Sequence, residues 1–254
     1  MRTSPDLRAI AASAVDVLSR LRAKPPRVHC ITNSVAQNFT ANVLLAVGAQ
    51  PSMTISPEEI GHFAGGADAL LVNLGTFDRE RAEAIDIAVA SATAAKRPWV
   101  LDPVLIDRSP PRAALARELL KRKPVALRLN AAEFAALAGG QTPAEFAAAN
   151  SAVVALSGAT DIVAGDDRQA SLANGHPLMA RITAMGCAGS ALVAACLAVE
   201  SDAWLAAVTG MLILGVAGEI AGEASEGPGS LAVSILDALY RLESGVLAAR
   251  AKVS

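Results

Sequence analysis

The sequence predicts an α/β fold in three layers, with a mostly parallel central sheet covered by helices on both faces. Apolar runs of strand length alternate along the chain with segments of helical character, which is typical of parallel sheets flanked by helices. The runs are apolar at successive positions, which indicates strands buried on both faces. Hydrophobic residues make up 53% of the chain and aromatic residues only 3%, so small residues in helices must fill much of the core.

The first quarter of the chain contains two strands, each followed by a helix. Residues 28–31 form a short apolar strand after the sequence KPP, and the helix Gln37–Val47 ends at Gly48, a residue typical of helix ends. A second strand is predicted at 52–55. A helix follows from Pro57, which suits the first helical position and has acidic residues after it.

The second quarter repeats this alternation. Residues 69–74, ALLVNL, form a continuous apolar strand, and Asp78 is placed to cap a helix that runs to Lys96. Residues 99–104, WVLDPV, form the next strand. Residues 114–121 form the helix that follows it.

The elements become shorter in the third quarter. Residues 125–129 form a strand, and the helix Ala131–Ala138 ends at a Gly-Gly pair. A short helix at 143–149 and a strand at 153–156 complete this part of the chain.

The alternation stops in the last third. Two short apolar segments, 162–164 and 169–172, flank the turn sequence GDDR, which predicts a hairpin. The remainder is predicted to be helical. One helix starts at about Gly186, a second covers Ala203–Glu223, and a third covers 231–248.

The length, net charge and cysteine content of the chain exclude several classes of protein. A chain of 254 residues favours one large domain, residues 1–254, over two small ones. The net charge of −2 provides no basic surface for nucleic acid. The three cysteines form no C-x-x-C pair, which favours a reducing, cytoplasmic location over a disulfide framework. Charges at Arg2, Asp6 and Arg8 leave no apolar region for a signal peptide.

Two apolar stretches approach the length of a membrane span. They are 182–199 and 203–218, and both are rich in Ala, Gly and Ser and closely bounded by acidic residues. That composition favours a pair of buried helices, so the sequence predicts no membrane partner.

Polar or small residues recur where strands are predicted to end. Ligands bind outside these carboxyl ends in sheets of this kind. The residues to inspect are Asn33, Asn73, Asp102, Asn130 with Glu133, Ser157 with Gly158, and Gly186 with Cys187. Their recurrence along one edge predicts a binding site there.

Two motifs at this edge suggest phosphoryl transfer. Asn130 and Glu133 lie three apart on a first helical turn and, taken alone, indicate a helix cap. With Asp102 at the neighbouring strand end, the carboxylates could hold Mg²⁺. The stretch AMGCAGSA starts a helix with small residues, whose free N–H groups favour an anion. Close helix packing is the alternative. The chain has neither a P-loop nor a GxGxxG motif.

The chain resembles the hydroxyethylthiazole kinases, enzymes with the ribokinase-like fold, over nearly its whole length. The most specific block is VHCITNSVAQNFTANVLLAVGAQPSM. Further blocks follow in the family's order, and they are ADALLVNLGT, PWVLDPV, NAAE, VALSGATD, NGHPLM and GPGS.

The resemblance implies a reaction and a set of site residues. ATP would phosphorylate the hydroxyl of 4-methyl-5-(2-hydroxyethyl)thiazole with Mg²⁺, in a cytoplasmic homotrimer with active sites between subunits. The implied residues are Asn33, Val35, Met53 and Ala184 for the substrate, Arg128 and Ser157 for ATP, Asp102 and Glu133 for Mg²⁺ through water, and Gly186 and Cys187 for catalysis.

Cys187 occupies the place where ribokinase relatives carry an aspartate base. A thiol is a weak general base at neutral pH, although a helix N-terminus can lower its pKa. A small buried residue with no chemical role is the alternative interpretation. Cys196 is interpreted as a core residue, and Cys30 with His29 is given no catalytic role.

Four residues depart from the pattern of the family. Glycine is usual in the family at Ala184, Leu129 and Leu105, and a small residue at Met185. Each change is predicted to place bulk where backbone approaches phosphate, and alanine is poorly suited to positive φ. The departures leave two alternatives open. The first is a weakened or respecified member that binds thiazole or nucleotide, and the second is another small-molecule enzyme of the ribokinase fold.

Overall fold

One sheet of eight strands forms the centre of the molecule. The computed structural model describes residues 7–254, so Arg2 and Asp6, which carry part of the argument against a signal peptide, lie outside the described residues. The strands are β1 (Arg27–Ile31), β2 (Gln50–Ser52), β3 (Ala69–Asn73), β4 (Trp99–Asp102), β5 (Ala126–Asn130), β6 (Val153–Ser157), β7 (Asp161–Gly165) and β8 (Arg168–Leu172).

The order of the strands across the sheet is β2-β1-β3-β4-β5-β6-β7-β8. Strands β1 to β6 pair in parallel, and β7 and β8 continue the sheet as antiparallel neighbours. The mostly parallel sheet and the terminal hairpin confirm the sequence prediction. Because β1 to β6 run in one direction, their carboxyl ends lie at a single edge.

Helices connect and cover these strands. They are α1 (Leu7–Ala23), α2 (Gln37–Val47), α3 (Ile60–Gly66), α4 (Arg79–Ala94), α5 (Pro110–Lys121), α6 (Ala131–Ala138), α7 (Pro143–Asn150), α8 (Met185–Leu197), α9 (Ala203–Glu223), α10 (Pro228–Arg241) and α11 (Ser244–Arg250). A 3₁₀ turn, Pro177–Arg181, precedes α8.

Two hydrophobic cores lie on the two faces of the sheet. One core joins α1, α2 and α8 to α11 to alternate strand residues such as Cys30 and Leu71. The other core joins α3 to α7 to the intervening residues, such as Leu70 and Val72. Successive residues of one strand thus enter opposite cores, which explains why the strands are apolar throughout.

The predicted second strand is displaced in the structure. It was expected at 52–55, but β2 covers Gln50–Ser52 and pairs with β1 from Arg27 opposite Gln50. Pro51 lacks an N–H group and argues against a central strand, but it is tolerated at the edge of a sheet, where β2 lies.

The helical C-terminal region also differs from the prediction. The single helix expected at 231–248 is two helices, α10 and α11. Arg22 provides the physical reason, because its guanidinium donates to the carbonyl oxygens of Leu239 (2.8 Å) and Leu242 (2.6 Å) and so satisfies the end of α10. Arg22 belongs to α1, a helix that was not among the elements predicted from the sequence.

The two stretches of near-membrane length form the buried helices α8 and α9. By length and composition, Ala203–Glu223 is the one helix within residues 7–254 that could cross a membrane, and 89% of its most apolar window is buried inside the molecule. The two helices pack against each other in the first core, as the sequence predicts.

Candidate active site

Most of the polar residues predicted from the strand ends meet at one edge of the sheet. In the register of the sheet, Asn73 lies opposite Asp102, and Asn130 lies opposite Ser157. The first turn of α8 reaches the same place, because Ser190, one turn further along the helix, donates to the Asp102 carboxylate at 2.8 Å. The geometry therefore brings β3, β4 and α8 to one point.

Asp102 is the buried acid at this point. Its Oδ2 accepts hydrogen bonds from Ser190 and from Asn73 Nδ2, the latter at 2.7 Å. Burial raises the pKa of Asp102 to about 6, with a smaller contribution in the same direction from the charge of Glu133, while the nearby charge of Arg128 opposes it. A carboxylate whose ionised form is this costly favours a cation beside it.

The amide of Asn73 is oriented by its neighbours. Its Oδ1 accepts the backbone N–H of Gly75 at 3.0 Å, so Nδ2 is the group that faces Asp102 and the Cys187 sulfur, which lies 3.3 Å away. Gly75 must be glycine here, because a Cβ at this position would lie 2.5 Å from the Asn33 Cβ. The chain passes close to the site only because it has no side chain there.

Cys187 is held as a thiol. Its sulfur accepts from Asn33 Nδ2 at 3.2 Å and from Asn73, but burial and the negative charge of Asp102 raise its pKa to about 11. The expectation that the start of α8 could lower this pKa is therefore wrong. At neutral pH the group keeps its proton, so it lacks the character of a general base.

Asn33 retains an unused acceptor. The side chain is more than nine-tenths buried, and its Nδ2 faces Cys187 and Asn73. Its Oδ1 is buried and has no hydrogen-bond partner in the described part of the chain. A buried amide oxygen without a partner is costly, and a hydroxyl or N–H group of a ligand would satisfy it.

Arg128 is the unpaired cation of the site. Among the described residues it forms neither a hydrogen bond nor a salt bridge, and its Nε is buried. It differs in this from Arg81, Arg97 and Arg168, whose Nε atoms also lack partners but whose guanidinium groups pair with carboxylates. Arg128 is thus available for an anion.

Gly186 allows this arginine to approach the start of α8. A Cβ at Gly186 would lie 2.6 Å from Arg128 Nη1. No side chain caps the N-terminus of α8, so the N–H groups of its first turn remain for a ligand. A guanidinium and a helix N-terminus side by side form an arrangement suited to phosphate.

Glu133 acts as a cap in this structure. Its Oε2 accepts the Asn130 N–H and its Oε1 accepts the Leu105 N–H, both at 2.9 Å, while the Asn130 side chain accepts from the first turn of α6. The capping interpretation of Asn130 and Glu133 is thus confirmed. The same bonds hold the loop after β4 beside the site.

The other predicted residues lie around this centre. Ser157 ends β6, and its hydroxyl donates to the Leu129 carbonyl at 3.3 Å. Met53 follows β2 and is half-buried against the first core. Val35, in the turn before α2, is 72% exposed, so no residue of the described range 7–254 covers it.

The four departures from the family pattern fall into two kinds. Ala184 and Leu105 have positive φ angles of 69° and 57°, which confirms that these positions suit glycine. Met185 and Leu129 instead pack in the hydrophobic cores. The expectation that all four place bulk against phosphate is wrong for these two, because their side chains are buried among apolar neighbours.

Two residues that hold parts of the candidate site in place were not predicted from the sequence. Ser190 lies four residues after Gly186, a spacing that returns to the same face of a helix, and this spacing could have revealed it. His29 was given no role, yet its Nδ1 contacts the Ser52 hydroxyl at 2.8 Å and its Nε2 the Thr54 carbonyl at 3.0 Å. It thereby holds both neighbours of Met53.

Known proteins of one family resemble the chain over most of its length. The profile of the hydroxyethylthiazole kinase family matches residues 18–145 and 141–245. A hydroxyethylthiazole kinase of Granulibacter bethesdensis is 46% identical over 91% of this chain and 90% of its own length. A solved structure of hydroxyethylthiazole kinase from Pyrococcus horikoshii superimposes with a TM-score of 0.91 at 35% identity, covering 95% of this chain and 98% of that one.

More distant structures share the architecture. A ribokinase-like superfamily protein of Enterococcus faecalis superimposes with a TM-score of 0.67 at 12% identity, covering 96% of this chain and 92% of that one. At this identity the comparison shows the fold alone, which is the ribokinase-like fold that the sequence predicted.

Proposed function

Because the chain belongs to the hydroxyethylthiazole kinase family, we propose that it transfers the γ-phosphoryl group of ATP to the hydroxyl of 4-methyl-5-(2-hydroxyethyl)thiazole, a step of thiamine salvage. The observation that carries the proposal is the unpaired Arg128 beside the uncapped first turn of α8. Cytoplasmic location of a single kinase domain over residues 1–254 belongs to the same proposal, because ATP is supplied there.

The anion-binding groups would stabilise the phosphoryl group during transfer. Arg128 and the N–H groups around Gly186 would bind its oxygens, and Ser157, at the neighbouring strand end, would contact the nucleotide. Phosphoryl transfer needs positioning and charge neutralisation more than covalent chemistry. Aligned donors at this point would therefore account for much of the rate enhancement.

The substrate would lie against the unused acceptor of the site. Asn33 Oδ1, buried without a partner, suits a donor group of the thiazole alcohol. Met53 would contact the sulfur-containing ring through its polarisable side chain, with Val35 and Ala184 at the borders of the pocket. Cys187 would orient the alcohol rather than deprotonate it, since its pKa of about 11 keeps the proton on sulfur.

Asp102 and Glu133 fit a magnesium ion held through water. No hydrogen bond from the described residues reaches Asp102 Oδ1, and Glu133 has lone pairs left after accepting two N–H groups. When bound, Mg²⁺ would neutralise charge on the phosphates. The raised pKa of Asp102 supports this assignment. Burial makes the ionised carboxylate unfavourable, and a bound cation would stabilise that ionised form.

A homotrimer with sites between subunits is part of the proposal. Exposed apolar side chains support it: Val35 borders the site, and Val233 and Tyr240, 66% and 74% exposed, lie on α10, which packs beside α2. Analytical ultracentrifugation should give about three times the chain mass of 25.8 kDa. A species of 25.8 kDa with full activity would contradict this part.

The central test is direct turnover. The protein is incubated with ATP, Mg²⁺ and hydroxyethylthiazole, and thiazole phosphate and ADP are measured by mass spectrometry and a coupled assay. We expect equal amounts of both products. The matched control is 4-methyl-5-ethylthiazole, which lacks the hydroxyl and should compete without consuming ATP. Binding of both ligands without product would favour the weakened family member, and absence of product and of ATP binding would refute the proposal.

A further inference from the structure

We propose that Ser190 and Asn73 are positioning residues that fix the Asp102 carboxylate through Oδ2 and thereby leave Oδ1 for the metal. The inference rests on the proposed kinase function, which assigns Asp102 to the metal. It adds two residues from different elements, β3 and α8, that hold the acid in one orientation.

Both hydrogen bonds reach the same oxygen. Ser190 Oγ lies 2.8 Å and Asn73 Nδ2 lies 2.7 Å from Asp102 Oδ2, and neither forms a hydrogen bond to Oδ1. Two donors on one oxygen restrict rotation of the carboxylate and disperse its charge. The other oxygen then keeps a fixed direction, as hydrogen-bonded carboxylates do around metals.

The two donors cannot easily exchange roles with other groups. The Asn73 amide cannot flip, because its Oδ1 accepts the Gly75 N–H at 3.0 Å. The Ser190 hydroxyl is fully buried and lies 3.2 Å from the Gly186 carbonyl as well as close to Asp102. A carboxylate accepts a charge-assisted hydrogen bond more strongly than a carbonyl does, which favours the orientation towards Asp102.

Ser190 also connects helix α8, whose first turn is proposed to bind phosphate, with Asp102 at the end of β4. It belongs to the helix whose first turn contains Gly186, and it bonds to the strand-end acid. Removal of the hydroxyl would release the acid from the helix without removing either group. The expected defect is therefore in metal binding and in its coupling to the nucleotide, while the thiazole pocket keeps its shape.

The test compares Ser190→Ala with Thr209→Val. Thr209 also has a fully buried hydroxyl, on the adjacent helix α9, but that hydroxyl has no hydrogen-bond partner among residues 7–254. Mn²⁺ binding is measured by electron paramagnetic resonance in the presence of a non-hydrolysable ATP analogue, independently of turnover. We expect Ser190→Ala to weaken Mn²⁺ binding about tenfold, and Thr209→Val to leave it unchanged.

Further readouts separate positioning from general damage. Ser190→Ala should keep its helical circular dichroism, since alanine favours helices, and its KM for thiazole, while the Mg²⁺ concentration for half-maximal turnover rises. Asn73→Ala should weaken Mn²⁺ binding in the same direction, and Ser190→Thr should restore it. Wild-type Mn²⁺ affinity in Ser190→Ala would overturn the inference. Failure of the wild type to phosphorylate thiazole would instead refute the proposed function.

Discussion

The polar groups buried at the strand ends and those buried beside the C-terminus differ in whether they have hydrogen-bond partners. At the strand ends, Asn33 Oδ1 and Arg128 Nε have no partner in the described chain. Beside the C-terminus, Asn174 bonds at both amide atoms, to the Arg250 carbonyl and to the Lys252 N–H, each at 2.8 Å.

The C-terminal cluster is complete in itself. Glu219 pairs with Lys252 Nζ at 2.7 Å, and residues 252–254 add an antiparallel segment beside β8. Buried polar groups are normally satisfied, so we expect the strand-end cluster, in which Asn33 Oδ1 and Arg128 Nε have no partner among the described residues, to bind a ligand. The comparison predicts that changes in the strand-end cluster affect turnover, whereas changes in the paired clusters affect stability.

The largest effect is expected from Arg128→Met. This substitution removes the unpaired cation but keeps much of the apolar stem, so kcat/KM for ATP should fall at least about 100-fold, roughly 3 kcal/mol of transition-state stabilisation. The melting temperature should stay the same or rise, because a half-buried guanidinium that pairs with no described residue is lost.

Arg168→Met is the matched control for Arg128. Arg168 is paired with Asp202 at 2.7 Å and lies over the Trp204 ring. This variant should unfold at lower urea concentration but keep its activity per folded molecule. Equal loss of activity in both variants would remove the distinction between the two kinds of arginine.

His29 lies near the site, but both of its ring nitrogens have hydrogen-bond partners, so we expect its substitution to affect stability. Burial lowers its pKa from 6.5 to about 4. Because the neutral imidazole is the form favoured in the folded state, protonation of His29 favours the unfolded state. The free energy of unfolding is therefore highest above pH 6.5, and it falls as the pH is lowered from 6.5 towards 4. The loss should be roughly 3 kcal/mol, from about 1.4 kcal/mol per pKa unit.

Urea unfolding at several pH values measures this loss. His29→Gln retains groups for hydrogen bonding but does not titrate, so the difference in unfolding free energy between it and the wild type should shrink as the pH falls from 7 to 4. A constant difference across this range would mean that His29 titrates normally in the folded protein.

Asn174→Ala should produce a smaller loss of stability. Two backbone groups of the C-terminal segment, Arg250 O and Lys252 N–H, would lose their partner, at a cost of about 2 kcal/mol. Turnover per folded molecule should stay within twofold. Asn150→Ala, which removes a single bond to the Phe146 carbonyl, should cost about 1 kcal/mol or less; a larger loss there than in Asn174→Ala would contradict the ranking.

The sequence determines the fold more completely than the site. Alternating apolar segments locate most strands within two residues, because burial on both faces leaves a strong local signal. The break between α10 and α11 could not be predicted, since it depends on Arg22 from the other end of the chain. Likewise, the pKa of Cys187 depends on Asp102 and on burial, and neither is visible from the helix-start sequence.

The smallest effect is expected from Ala184→Gly, at the start of α8. Ala184 has a φ of 69°, a conformation that costs a non-glycine residue about 1–2 kcal/mol. Glycine removes that strain but gives the unfolded chain more freedom, worth about 0.4–1 kcal/mol. The variant should therefore be more stable by about 1 kcal/mol or less, measured by urea unfolding.

Ala12→Gly, in the right-handed interior of α1, should instead lose about 1 kcal/mol. Since Ala184→Gly leaves Asn33, Asp102 and Arg128 unchanged, turnover should change less than threefold. Destabilisation by Ala184→Gly would show that the left-handed turn carries no strain, and a large gain in turnover would revive the interpretation of a weakened enzyme.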